Sequence, residues 1–276
     1  MSTKRAALIN DLSGLGKCSL TAAIPVFSCL GIQPCPLPTA VLSNQTGYDS
    51  YYIDDFTDKM SFFTEEWLKK GITFDAISTG FFVNSKQIDI SEEFIKKFKK
   101  EDTLLVVDPV MGDGGTVYKT FSDELCRRIC RLALTADVIT PNLTEACIIL
   151  GEKPDLSLSL ENVCDMARRL KEKGPSKVVV TGVVIGDKVY NVVCDDKTVD
   201  YTVNNMAFGS YSGTGDLFVS VIAAGLMNGK HSLKEIAQAA SDLIESAARD
   251  AYAEKTDRND GVPFEKYLPK LWEALI

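Results

Sequence analysis

Short apolar runs of strand length alternate along the chain with longer segments whose apolar residues recur at helical spacing. This alternation predicts an α/β fold: a mainly parallel central sheet flanked by helices on both faces. Strands are expected at residues 6–9, 74–78, 103–107, 138–140 and 177–181, with a further extended segment at 33–39 that carries three prolines. Helices are expected at 19–30, 85–99, 121–134, 143–150 and 160–173. The lysines of the 85–99 segment mark its solvated face. After residue 182 the pattern changes. Two short β-rich runs, 189–194 and 198–203, flank the turn-like Asp195-Asp196-Lys197 and predict a β-hairpin at one sheet edge. Helices at 213–227, 233–252 and 264–275 close the chain, with a polar loop at 256–261.

No internal repeat, low-complexity tract or linker divides these elements, so residues 1–276 are expected to form one domain. A composition of 45% hydrophobic and 25% charged residues suits a chain with a sizeable core. The balance of 30 Lys and Arg against 38 Asp and Glu, net charge -8, gives no electrostatic reason to expect nucleic acid or an anionic membrane as partner. A polyphosphate ligand would therefore need backbone N–H groups, helix N-termini or a metal ion. The first nine residues hold too short an apolar run for a signal-peptide core, and no window approaches the roughly 20 apolar residues of a membrane helix. A cytoplasmic location is expected. The eight cysteines sit mostly among apolar neighbours and read as reduced thiols. Cys126 and Cys130 are four apart on an expected helix, but no second pair or nearby histidine completes a zinc site. The single histidine, His231, falls between two helices, which leaves little room for histidine-based catalysis.

Ligands of open α/β sheets bind at the carboxyl ends of the strands. Polar residues gather there: Asp11 and Ser13, Thr79 with Gly80, Asp108, Thr140 with Asn142, and Thr181. In the first of these loops Gly16-Lys17 precedes a helix. A phosphate-binding P-loop is excluded, since it would need glycine where Asp11 stands and a hydroxyl where Cys18 stands. The turn from Gly14 to Gly16 is expected to let backbone approach a small organic substrate, with Asp11 or Ser13 hydrogen-bonding it. A plain strand-to-helix turn is the competing reading. Asp108-Pro109-Val110-Met111-Gly112-Asp113 puts two carboxylates five residues apart in a glycine-rich loop, a place where they can hold Mg²⁺ or its waters. Asn142 and Glu145 have helix-capping spacing; Glu145 is alternatively an outer-sphere partner of magnesium.

The run Ser212-Gly213-Thr214-Gly215-Asp216 opens an apolar helix. Gly213 and Gly215 flank Thr214, so several N–H groups are free to point at one anion, and the helix dipole adds to the attraction. Asp216 in the first turn would sit beside that anion and take the proton of an attacking alcohol. An acidic residue also favours a helix N-terminus on structural grounds alone. No G-x-S-x-G elbow is present, and no G-x-G-x-x-G follows a strand.

Taken together, the Asp108 to Asp113 run, Thr140-Pro141-Asn142 with Glu145, and Gly213-Thr214-Gly215-Asp216 resemble the ribokinase-like superfamily in order and spacing, nearly end to end. Within it, Ser43-Asn44-Gln45-Thr46-Gly47-Tyr48 and the aspartate-proline run resemble the pyridoxal (vitamin B6) kinases. These phosphorylate the 5'-hydroxymethyl of pyridoxal, pyridoxine or pyridoxamine with MgATP. The Asp11-Leu12-Ser13-Gly14-Leu15-Gly16 run is closer to the hydroxymethylpyrimidine kinases, whose substrate is a similar flat heteroaromatic alcohol. A non-catalytic B6- or nucleotide-binding protein of the same fold is a third reading. The resemblance implies Asp216 as base, with Gly213, Thr214 and Gly215 as the anion hole. It implies that Asp11, Ser13, Thr46 and Phe81 face the substrate, and that Asp108, Asp113, Tyr118, Thr140, Asn142, Thr181 and Thr214 line the nucleotide region. Asp108 and Glu145 would serve Mg²⁺, Glu145 through water. A homodimer and K⁺ follow from the resemblance alone. Phe81 departs from the tyrosine usual in B6 kinases at this point, which leaves the preferred vitamer open.

Overall fold

The first apolar run forms β1 (Arg5–Ser13), buried along nearly all its length as a central parallel strand must be. From it the chain runs through α1 (Ser19–Cys29), β2 (Gln33–Leu42), β3 (Ile53–Asp55), α2 (Thr57–Lys69), β4 (Ala76–Thr79), α3 (Ser85–Phe98) and β5 (Leu104–Val107). A small hairpin, β6 (Gly112–Asp113) with β7 (Thr116–Val117), leads to α4 (Asp123–Leu134), β8 (Val138–Ile139), α5 (Leu143–Leu150) and α6 (Leu160–Glu172). Next come β9 (Lys177–Ile185), β10 (Lys188–Cys194), β11 (Val199–Asn205), α7 (Thr214–Asn228), α8 (Leu233–Glu254) and α9 (Leu268–Leu275). This computed structural model describes residues 3–206 and 208–276; Met1, Ser2 and Ala207 lie outside it.

Nine strands share one sheet, in the order β11-β10-β9-β8-β5-β4-β1-β2-β3. The pairings from β2 across to β9 are parallel, the β10–β11 hairpin is antiparallel at one edge, and β3 is antiparallel at the other. The expected architecture is therefore the observed one. Strand alternation divides the core. Ala6 and Leu8 of β1 pack with α1, α7 and α8, whereas Ala7 and Ile9 pack with α3, α4, α5 and α6. From β1 the chain crosses to β2 on one side, while β4 pairs on the other. Strand order reverses there, so a crevice opens at the carboxyl ends of β1 and β4.

Four details differ from the pattern-based expectation. β3 and α2 fall where the pattern assigns no element: the buried positions of α2 are Thr57, Met60 and Thr64, too polar to stand out as an apolar stripe. β1 continues through Asp11 and Ser13, which are therefore strand residues and not loop residues. β9 continues past Thr181 to Ile185, because its second half pairs with β10 after the parallel neighbour has ended. The terminal helix starts only at Leu268, with Pro269 in its first turn and a separate 3₁₀ turn, Glu265–Tyr267, before it.

Candidate active site

A cavity of about 860 Å³ lies over the carboxyl ends of the parallel strands, large enough for two small ligands side by side. Every residue that the resemblance implies for substrate, nucleotide, metal or catalysis lines it, whereas Thr79 and Gly80 do not. Asp11 and Ser13 come from the end of β1, Thr46 from the loop after β2, and Phe81 from the turn after β4. Asp108, Asp113 and Tyr118 come from the segment after β5 and its small hairpin. Thr140, Asn142 and Glu145 follow β8, and Thr181 lies within β9. Gly213, Thr214, Gly215 and Asp216 complete the wall.

The N-terminus of α7 opens into this cavity with no side-chain cap, so its first-turn N–H groups remain available. Gly213 sits at φ +81, and a Cβ there would lie 2.0 Å from the Lys17 carbonyl oxygen, so only glycine lets α7 start this close to the first loop. Nothing lies within 4 Å of a Cβ built on Gly215, so that glycine keeps open space on the ligand side. Asp216, the third residue of the helix, accepts a hydrogen bond from Asn10 Nδ2 at 3.1 Å and lies beside the Ser19 backbone N–H. Ser19 holds φ +48, an unusual conformation for a non-glycine residue at a functional site. Burial pushes the Asp216 carboxyl up to about 6; the neighbouring Asp11 adds to the rise, and the Ser19 N–H and the Asn10 bond oppose it. A carboxyl titrating there is ionised at neutral pH yet basic enough to share a proton.

Asp11 is 5% exposed. Its Oδ2 accepts from Ser13 Oγ at 2.8 Å, and burial raises its pKa despite that bond. Cys18, between Asp11 and Asp216, is pushed up to about 12 by burial and by both carboxylates, so it is a neutral thiol.

On the opposite wall Glu145 is 4% exposed and forms a capping box at the start of α5. Its Oε2 accepts from Asn142 N at 2.9 Å, its Oε1 accepts from Met111 N at 3.0 Å, and Asn142 Oδ1 accepts from Glu145 N at 3.0 Å. Glu145 thus caps α5 and lines the cavity as well. Asp108 Oδ1 accepts from Thr140 Oγ1 at 2.9 Å. Burial raises both carboxyls, and the Glu145 and Asp216 charges raise Asp108 further. Such a pair relaxes when positive charge arrives. Among the described residues no three His, Cys, Asp or Glu side chains converge on a metal position. A divalent ion at this wall would draw most of its ligands from phosphates and water, a mode that suits Mg²⁺.

One expectation is corrected. Gly14 and Gly16 do not line the cavity; a Cβ on Gly14 would lie 2.9 Å from Ser43 O, and one on Gly16 would lie 2.8 Å from Gln45 Cγ. Their small size serves packing of the first loop against the 43–48 loop. Gln45 then ties three segments together. Its Nε2 donates to Asn259 Oδ1 at 3.1 Å and to Ser212 Oγ at 3.3 Å, and its Oε1 accepts from Gly47 N at 2.6 Å. Tyr48 OH bonds Asp260 in the same loop.

Several lining residues carried no sequence signal. Lys119 and Arg258 are the two cations, and Asn204, Phe208, Ile244 and Glu245 line the side formed by β11 and α8. Asn10 lies behind Asp216. A motif search passes over it because its importance rests on contacts to Asp11, Phe81 and Asp216, the last of them 206 residues away.

A family model described as phosphomethylpyrimidine kinase matches residues 18–261. The chain belongs to that family. As a member of the phosphomethylpyrimidine kinase family it is a phosphotransferase that acts on an alcohol group. The pyridoxine kinase of Bacillus subtilis is 26% identical over 262 residues, covering 91% of this chain and 93% of that one. A Bacteroides thetaiotaomicron protein solved in an orthorhombic form with pyridoxal is 38% identical, with a TM-score of 0.92 over 98% of this chain and 96% of that one. The pyridoxal kinase of Lactobacillus plantarum is 26% identical, with a TM-score of 0.89 over 99% and 98% of the two chains. No helix among the described residues is long and apolar enough to cross a membrane.

Proposed function

We propose that this chain is a single-domain kinase that transfers the γ-phosphoryl group of MgATP to the 5'-hydroxymethyl group of a vitamin B6 vitamer, releasing ADP. The observation that carries the reading is the uncapped start of α7 with Asp216 in its first turn. Asp216 takes the proton from the substrate hydroxyl as its oxygen attacks phosphorus. Gly213, Thr214 and Gly215 offer N–H groups to the charge on the transferred phosphoryl. Asp11, Ser13, Thr46 and Phe81 face the ring; Asp113, Tyr118, Thr140, Asn142, Thr181 and Thr214 face the nucleotide. Asp108 and Glu145 would hold Mg²⁺ largely through its waters, and the ion would offset phosphate charge in an acidic cavity. The pyridoxal in the Bacteroides relative supports the choice of alcohol.

An ADP-release screen with pyridoxal, pyridoxine, pyridoxamine, hydroxymethylpyrimidine and several sugars tests the reading. Turnover of the B6 alcohols is the expected result; ligand binding with no ADP from any alcohol would leave only a binding protein. Omitting Mg²⁺ or K⁺ from the same assay tests the dependence on each ion. A second substrate reading, hydroxymethylpyrimidine or its phosphate, is favoured by the family's own description. Competition of the two alcohols for limiting enzyme separates the readings by their ratio of kcat/KM.

The proposal extends to a cytoplasmic homodimer. Eight free cysteines suit a reducing compartment. Leu15, Val41, Tyr51, Tyr52 and Ile53 are exposed on and beside the β2–β3 edge, a face suited to a second copy. Sedimentation measures that state directly.

A further inference from the structure

Asn10 stands in the carboxyl-terminal half of β1, the strand at which strand order reverses. Its side chain makes three bonds, one to the next residue of its own strand and two to segments distant in sequence. Oδ1 accepts from Asp11 N at 3.0 Å and from Phe81 N at 2.8 Å; Nδ2 donates to Asp216 Oδ1 at 3.1 Å. The two N–H donors fix which end of the amide is oxygen, so the nitrogen must face the carboxylate. The β1–β2 register shifts between Asn10 and Leu12, a bulge of the kind that re-aims side chains beside active sites. Gly80 completes the arrangement: a Cβ there would lie 2.5 Å from Asn10 Nδ2. Behind the carboxylate lies a small chamber of about 20 Å³, where Asn10, Ser78, Asp216 and Ser220 meet the apolar Leu8, Leu20, Phe27 and Val219.

We infer that Asn10 is the positioning residue of Asp216, fixing the orientation of the carboxylate relative to the Phe81 and Asp11 walls that hold the substrate. The inference rests on the reading of Asp216 as base. The Asn10 amide holds the carboxylate, while Phe81 N and Asp11 N hold the amide. Substrate wall and base thus share one rigid link, and a hydroxyl seated against the wall is aimed at the base. Asp11 also raises the proton affinity of Asp216, and Asp216 in turn raises the titratable groups that face it. Asp11 faces it from β1, Cys18 from the residue before α1, Asp108 from the end of β5 and Tyr118 from beyond β7. None of these joins the base to the substrate wall through a shared side chain.

Truncation of Asn10 would enlarge the chamber beside Asp216 and loosen the packing there, so an isosteric change is the better probe. Asn10→Asp keeps the oxygen that accepts from Phe81 and Asp11 and replaces the donor to Asp216 by a second carboxylate oxygen. The expected result is a kcat roughly tenfold lower near pH 7, a KM for ATP within about twofold of wild type, and an acid limb of kcat moved up by about one pH unit or more. Activity should return in part at higher pH. Gly80→Ala, which displaces the amide without touching a charge, should lower kcat in the same way by a smaller factor.

Wild-type kcat with an unmoved acid limb in Asn10→Asp overturns the inference, as does a general rise in KM for both substrates with the limb in place. If Asn10→Asp does not fold, the same results in Gly80→Ala overturn it. Asp216→Asn measured alongside separates the two layers. An Asp216→Asn enzyme that still turns over removes the base reading itself; an inactive one beside an unaffected Asn10→Asp removes only the positioning role.

Discussion

At the catalytic end of the site Asp216 is buried and fixed by the Asn10 side chain, on a helix whose start tolerates no Cβ at Gly213. At the ring end, which the Asn10 amide joins to it through Phe81 N, the Phe81 ring packs against Phe121, with centroids 5.9 Å apart, and Phe121 against Tyr118 at 5.7 Å. The first end is held by side chains that cannot change without moving the chemistry. The second is held by backbone. Phe81 O accepts from Thr39 Oγ1 at 2.9 Å and Phe81 N donates to Asn10, so its ring can vary while its position stays. Deprotonating an alcohol and stabilising phosphoryl charge are the same task for any substrate, whereas recognising a ring is not. Substitutions at the first end should therefore act on kcat, and those at the second on KM and selectivity.

The largest effect should come from Asp216→Asn. Loss of a general base costs about 10²- to 10⁴-fold in kcat, and ATP affinity by calorimetry should change little. Residual turnover within a few-fold of wild type would erase the distinction between the two ends. The same variant should also be more stable. Burial raises the folded-state pKa of Asp216 from about 3.8 to about 6. Between those values the folded chain holds a proton that the unfolded chain has released, so stability from this group falls as pH rises through the window and stays low above it. Removing the charge should raise the unfolding free energy near pH 8 by on the order of 2 kcal/mol. The advantage should disappear below about pH 4, a trend that denaturant melts across pH would show.

Gly213→Ala and Gly215→Ala form the next contrast. The first forces a Cβ to within 2.0 Å of the Lys17 carbonyl at φ +81, whereas the second meets nothing within 4 Å. Gly213→Ala should lower stability by about 1–3 kcal/mol and lower kcat as well. Gly215→Ala should leave the thermal midpoint nearly unchanged and act only on ligand affinity. Equal midpoints for the two would show that the close approach of α7 to the first loop is not what sets the anion site.

How far each end was legible in the sequence follows the same division. Asp216 with its glycines could be read locally, since an anion site at a helix start is built from consecutive residues. The alternation of runs likewise carried the parallel sheet and its edge hairpin. Asn10 could not be read, because its role depends on Asp216 and Phe81 reaching it from distant parts of the chain. Gly14 and Gly16 misled for a related reason: glycine signals close approach, but its partner proved to be the 43–48 loop and not a ligand. Helix α2 escaped because threonines fill two of its three buried positions. Lys119 and Arg258 carry charges that look like any surface charge until the cavity around them is known.

The smallest effect, and the one that tests the ring end alone, belongs to Phe81→Tyr. Both backbone groups of Phe81 are already bonded, so an added phenol oxygen should leave the wall in place and change only what faces the ligand. One new hydrogen bond to a ring substituent contributes about 0.5–1.5 kcal/mol net. The kcat/KM ratio among pyridoxal, pyridoxine and pyridoxamine should accordingly shift by a few-fold to roughly tenfold, with kcat on the best substrate within about twofold of wild type. Stopped assays on the three alcohols measure this directly. A large loss of kcat without any change in the ratio would mean that the Phe81 ring supports Asp216 through Asn10, and the two ends would then act as one.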